Sequence, residues 1–233
     1  MTEQLKSFKN RAQLSDDLAS YVRELIMSGE LKPGDYVRID RMAKELGISP
    51  TPVREGLLAL RGEGLVHLEP RRGFVVSALS RRDVEDLFMV TADVAGELAA
   101  RCTGAITPRI LDDLATLQKS LETANTANDP KTFEVANFQF HRAINRAAAS
   151  PKLSWILAAV SGYAPQHIYG QTPKWRESII ADHRAIYAAL ESGSPEAARE
   201  AMSQHFYRTG QMLIGQLEHL WLSNEQLSTG EDA

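Results

Sequence analysis

From Ala12 to Ser28 the apolar residues Leu14, Leu18, Tyr21, Val22, Leu25 and Ile26 recur at helical spacing, which predicts a helix with one apolar stripe. Gly29 ends it, and Leu31-Lys32-Pro33-Gly34-Asp35 reads as a turn into a short strand, Tyr36-Val37-Arg38-Ile39. Arg41 to Leu46 returns to helical spacing with Met42, Ala43 and Leu46 on one face, and Gly47 can take φ > 0 to close it. Ile48 plugs the corner, Ser49 or Thr51 can cap the next helix, and Pro52 suits its first turn, where a missing N–H has no intrahelical duty. That helix is expected from about Pro52 to Gly62, with Val53, Leu57, Leu58 and Leu60 inward and Ser49, Pro50, Thr51 and Arg54 outside. After Gly64 the period becomes two: Leu65-Val66-His67-Leu68, a turn from Glu69 to Gly73 carrying Arg71 and Arg72, then Phe74-Val75-Val76, a β-hairpin.

Beyond a brief linker, residues 77–82, strand signals cease. Six helices are expected: Asp83 to Thr103, Pro108 to Ala127, Pro130 to Ala149, Pro151 to Tyr163, Lys174 to Ser192, and Pro195 to about Leu222. Gly, Pro or Ser clusters separate them, and Ser194-Pro195-Glu196 is a strong start for the last. The fold class is therefore mostly α: residues 1–10 a polar arm, 11–76 a winged helix-turn-helix, 83–222 an all-helical bundle and 223–233 a polar tail.

Composition narrows the partners. The apolar fraction of 43% is that of an ordinary globule, and neither a membrane-spanning run nor a secretory leader is legible. Cys102 is the only cysteine, which excludes an internal disulfide and a cysteine-based zinc cluster, so a cytoplasmic protein is expected. The net charge of −4 is uneven: residues 1–78 carry 12 Lys+Arg against 11 Asp+Glu, whereas residues 79–233 carry 14 against 19. Binding to a polyanion must then depend on where Arg38, Arg41, Lys44, Arg54, Arg61, Arg71 and Arg72 sit, rather than on a broad basic field.

The short helix, tight turn and second helix place Arg41, Ser49, Pro50, Thr51 and Arg54 where a recognition helix meets base edges and phosphates. The hairpin places Arg71, Arg72 and Gly73 where a wing meets the backbone or minor groove; two arginines in an isolated turn would be merely solvated. Residues 11–76 resemble the DNA-binding domain of the GntR family of bacterial transcription regulators, whose usual run is G-V-S-R-T-P-V-R-E-A-L followed by L-x-x-E-G-L-V. Here the run is Gly47-Ile48-Ser49-Pro50-Thr51-Pro52-Val53-Arg54-Glu55-Gly56-Leu57, then Leu60 and Glu63-Gly64-Leu65-Val66. Pro50 replaces a frequent guanine-reading Arg, and Gly56 replaces the usual Ala. Base reading then shifts to Thr51, Arg54 and the wing, or the operator departs from the common half-site.

In the helical part, Asn137 and His141 lie four apart and project from one face at neighbouring heights. His183 and His205 each have apolar neighbours within a turn, so both look into the bundle. By spacing alone such histidines are either hydrogen-bonded core residues or metal ligands. Residues 81–222 resemble the FCD effector domain of FadR-type GntR regulators, through Asn137-x-x-Phe140-His141-Arg142-Ala143-Ile144, Asp182-His183-Arg184-Ala185-Ile186-Tyr187-Ala188-Ala189-Leu190, and Ala201-Met202-x-x-His205. The resemblance implies one divalent cation held by Asn137, His141, His183 and His205; three neutral imidazoles select Zn²⁺ or Ni²⁺, and the expected effector beside it is a small organic acid. Asn137 stands where many members carry Asp, and a neutral amide oxygen is the poorer donor.

The family's R-x-x-L-E pattern is also missing from the first helix, at Thr91-Ala92-Asp93-Val94-Ala95; Arg101, Arg142, Arg146 and Arg184 are substitutes for its arginine or surface ion pairs. Tyr163, His167, Tyr169 and Trp175 form a lid or an ordinary packed loop. The combined expectation is a non-enzymatic, ligand-responsive repressor that binds an inverted-repeat operator in double-stranded DNA as a homodimer. The rivals are a helical metalloenzyme fused to a DNA-binding domain, which lacks H-E-x-x-H support here, and a nonspecific nucleoid protein, which the weak charge of residues 1–78 disfavours.

Overall fold

Leu18 and Val22, at helical spacing on α1 (Arg11–Met27), are fully buried against Val53, Leu57 and Leu60 of a second helix. The computed structural model describes residues 11–70, 72–161 and 172–228, and the chain divides into two units, 1–80 and 81–233. In the first unit α1 is followed by β1 (Tyr36–Val37), α2 (Ile39–Leu46), α3 (Pro50–Gly62), β2 (Val66–Glu69) and β3 (Gly73–Val76). The strands form one antiparallel sheet in the order β1-β3-β2, with Val37 opposite Phe74 and Val66 opposite Val76. Phe74, Val75 and Val76 are all buried, which anchors the wing to the helices.

Gly47 takes φ 68°, and the Gly47 and Ile48 N–H groups reach Lys44 O and Ala43 O at 3.3 and 3.0 Å. This left-handed closure fixes the sharp turn between α2 and α3. Several local expectations shift. Strand β1 stops at Val37 because extended Arg38 is the N-cap of α2, whose first turn carries Asp40 at the positive end of the helix dipole. Helix α3 begins at Pro50, not Pro52: Ser49 occupies the cap position without a side-chain cap bond, and Pro50 takes the N1 place that needs no N–H. Thr51 is thus inside the helix rather than its cap. Leu58 is 45% exposed, because the buried stripe passes through Val53, Leu57 and Leu60 and Leu58 lies one helical step outside it.

Gly56 sits where α1 presses on α3. A Cβ there would lie 2.8 Å from both Ser15 O and Leu18 Cδ2. Gly56→Ala is therefore expected to lose about 1–3 kcal/mol to overpacking, outweighing the roughly 1 kcal/mol that alanine gains in helix propensity. Urea unfolding of the two proteins measures it: equal stability would mean that the overpacking only cancels the propensity gain, and a variant more stable by about 1 kcal/mol that α1 moves aside at no cost.

The second unit contains α4 (Arg81–Thr103), α5 (Pro108–Thr126), α6 (Pro130–Ala147), α7 (Pro151–Ser161), α8 (Pro173–Glu191) and α9 (Pro195–Ser228). Helices α4 and α9 run together through two glycines: a Cβ on Gly96 would fall on Ser203 Oγ, and one on Gly210 would lie 2.7 Å from Phe88. Leu98, Leu114, Phe140, Ile144, Ile186 and Leu190 fill the core from four helices. Thr107 and Asp129 cap α5 and α6 by accepting from the N–H groups of Ile110 and Thr132, and Ser194 Oγ accepts from Ala197 N at the start of α9.

Several boundaries differ from expectation: α5 ends at Thr126 rather than Ala127, α6 at Ala147 rather than Ala149, and α8 spans Pro173–Glu191 rather than Lys174–Ser192. The linker ends at Ser80, since α4 begins at Arg81, and α9 continues past Leu222 to Ser228 through residues that tolerate helix, such as Glu225, Gln226 and Leu227. No helix among the described residues is long and apolar enough to cross a membrane. Cys102 is buried, which pushes its thiol up to about 11 and leaves it unreactive.

Candidate DNA-binding surface and metal centre

The first unit gathers its arginines. Tyr36, Arg38, Asp40, Arg41, Arg54, Arg72 and Gly73 line one open groove of about 850 Å³, so β1, the start of α2, the first turns of α3 and the wing converge on it. Ser49, Pro50, Thr51 and Arg54 are exposed, as a reading surface requires. The Tyr36 hydroxyl donates to Glu69 Oε2 at 3.0 Å and accepts from Arg72 Nη1 at 3.2 Å, tying the wing cation to β1. Sequence reasoning passed over Tyr36, and its signal was only the strand pairing that sets it opposite Val75. Arg41 Nε reaches Glu45 Oε1 at 2.7 Å, an exposed pair that leaves the cation accessible. Arg71 lies outside the described residues.

In the second unit three helices each bring one histidine to a common point: His141 from α6, His183 from α8 and His205 from α9. One ligand atom from each lies within 4.8 Å of the others, and His141 Nε2 and His183 Nε2 are 3.2 Å apart. Nitrogens bound to a common zinc at about 2.0–2.1 Å are separated by roughly 3.0–3.4 Å, so this pair already has the spacing of two ligands. His183 is fully buried, stacked at 4.1 Å on Phe140, and His205 is 3% exposed. Burial, reinforced by neighbouring histidines, drives His141 and His183 well below the ordinary imidazole range, which keeps both neutral and able to donate.

The donor set fits a borderline divalent cation on a further observation. Asn137 Oδ1 and His183 Nδ1 are buried polar atoms without a hydrogen-bond partner. A buried amide oxygen left unpaired costs free energy, and Asn137 is one turn from His141 on the same helix. Neighbouring Asp182 places Oδ2 3.3 Å from His205 Nδ1 and pairs through Oδ1 with Arg208 Nη2 at 2.6 Å. Burial opposes its ionisation, but the hydrogen bonds from His205 and Arg208 outweigh it and hold the carboxyl below its usual range. Asp182 and Arg208 were not singled out from the sequence; the signal available was their position, adjacent to His183 and one turn beyond His205.

The arginines weighed as effector contacts do not join the cluster in the described contacts. Arg101 pairs with Glu97 and reaches Ser150, Arg184 pairs with Glu122, and Arg142 is exposed. Trp175 is 7% exposed at the start of α8, while Tyr163, His167 and Tyr169 lie outside the described residues.

A winged helix-turn-helix joined to a helical sensor bundle defines a DNA-binding transcription regulator. Residues 14–76 match the bacterial regulatory proteins of the gntR family and residues 86–208 match the FCD domain; the chain belongs to the GntR family of regulators with an FCD effector domain. It is 23% identical over 233 residues to the gluconate operon transcriptional repressor of Bacillus licheniformis, covering 96% of this chain and 93% of that one. It is 29% identical over 206 residues to a probable D-xylose utilization operon transcriptional repressor of Paenarthrobacter nicotinovorans, covering 81% and 85%. The solved structure of E. coli McbR/YncC superposes with a TM-score of 0.68 at 25% identity, covering 89% of this chain and 98% of that one.

Proposed function

We propose that this regulator is a cytoplasmic repressor, and that its helical domain senses a small organic acid at a centre built from Asn137, His141, His183 and His205. The convergence of three histidines from three helices, beside the unpartnered Asn137 Oδ1, carries this reading. A bound Zn²⁺ or Ni²⁺ would supply a positive centre for a carboxylate, while the chain's own largely buried side chains would hold it. Four neutral donors favour such cations over Ca²⁺ or Mg²⁺ and leave the site exchangeable. The acid acts on DNA only through its differential affinity for two arrangements of the regulator. Retention of a labelled operator during titration with small hydroxy- and dicarboxylic acids, for the parent and for His141→Ala, tests the assignment. Release by an acid in the parent alone supports it; equal response in both separates sensing from the histidines.

On the DNA side, Arg41, Ser49, Pro50, Thr51, Arg54, Arg71, Arg72 and Gly73 form the proposed contact set. One recognition helix reads only a few base pairs, so specificity calls for an inverted repeat bound by a two-fold dimer. Sedimentation is expected to give a dimer at micromolar concentration and a 2:1 complex with operator; a monomer in both states refutes it. Membership of a family of transcription regulators favours this reading over the enzyme alternative.

A further inference from the structure

Beyond the four proposed ligands lies a carboxylate that the centre does not itself use. Asp182 is 7% exposed and immediately precedes His183, so α8 delivers a ligand and a buried acid together. Its oxygens turn toward α9. Oδ2 lies 3.3 Å from His205 Nδ1 and accepts from Arg208 Nε at 3.2 Å, while Oδ1 lies 2.6 Å from Arg208 Nη2. An ionised carboxylate only accepts hydrogen bonds, so His205 Nδ1 must carry the ring proton and Nε2 is left with its lone pair. Arg208 stands one turn beyond His205, and the fork of its guanidinium pins the carboxylate in this orientation.

We propose that Asp182, clamped by Arg208, is the positioning residue of this centre: it selects the His205 tautomer that donates through Nε2, and it places beside the cation the negative charge that Asn137 lacks. The proposal rests on the metal-centre reading above. In a set of neutral donors a divalent cation keeps its full charge, and Asp182, the one buried carboxylate among the described residues, lies 3.3 Å from His205 Nδ1. The compensating Arg208 side chain is 47% exposed and partly screened by water, whereas the Asp182 side chain is 10% exposed.

The test uses the full chain. Long-range ¹H–¹⁵N correlation of the metal-free parent is expected to show His205 protonated at Nδ1; protonation at Nε2 overturns the assignment. Titration with Co²⁺, followed by its visible absorption and by competition with Zn²⁺, is expected to show roughly 10–100-fold weaker affinity for Asp182→Asn. Asn137→Asp combined with Asp182→Asn should recover most of that loss, because the charge returns inside the ligand set. Parent-like affinity in a folded Asp182→Asn, or no recovery in the double variant, refutes the charge role. If Asp182→Asn fails to fold, Arg208→Gln at its half-exposed position serves instead: weakened Co²⁺ binding supports the clamp, and unchanged binding overturns it. A parent that binds neither metal defeats the metal-centre reading, while the His205 tautomer still decides the part played by Asp182.

Discussion

His183→Ala is expected to emerge from chelator-free dialysis without metal, whereas the parent retains about one equivalent per chain. Removing a direct ligand should cost at least on the order of the 100-fold that loss of an outer partner can reach. His183 is fully buried and stacked on Phe140, so its truncation also opens a cavity. His141→Ala, at a half-buried position, gives the same loss with less damage to packing. Asn137→Asp should shift affinity the other way, since a carboxylate replaces a neutral amide at the atom that the structure leaves unpaired. Elemental analysis of the four proteins after dialysis, with thermal unfolding as the folding control, decides it. Equal and negligible metal throughout would assign these histidines to the core.

Arg54→Ala is the second large effect. Arg54 is exposed in the first turns of α3 and shares its groove with Arg38, Arg41 and Arg72. Its loss is expected to weaken operator binding by ~1–3 kcal/mol and to relax sequence preference, as removal of a base-reading arginine does. Arg72→Ala should instead weaken all sequences alike and flatten the dependence on salt, because a wing cation neutralises phosphate. Gel-shift titrations at several salt concentrations, on operator and on random DNA, separate the two behaviours. An Arg54→Ala protein that folds and binds as the parent does would displace the reading surface from α3.

Most helices were legible because their signals are local. Pro108, Pro130, Pro151 and Pro195 begin four of the helices, and Gly47 ends α2 in the left-handed conformation that its position implied. Errors collected where two local solutions compete. Pro50 and Pro52 both suit a helix start, and the helix begins at Pro50 because the extended backbone ends at Ser49. Leu58 looked like core because an apolar side chain does not record which side of its helix a neighbour covers.

The same division runs through the two functional surfaces. Helix-turn-helix spacing, the two-residue period of the wing and the helical placement of Asn137 and His141 are properties of consecutive residues, and they were readable from the chain alone. Whether His141, His183 and His205, spread over 65 positions, share a point in space depends on how α6, α8 and α9 pack. Packing also decided that Asp182 faces His205, that Arg101 and Arg184 are committed to Glu97 and Glu122, and that Gly56 must stay small against α1. Side-chain partners across helices are set by shape and burial summed over the whole core, which no stretch of neighbouring residues encodes.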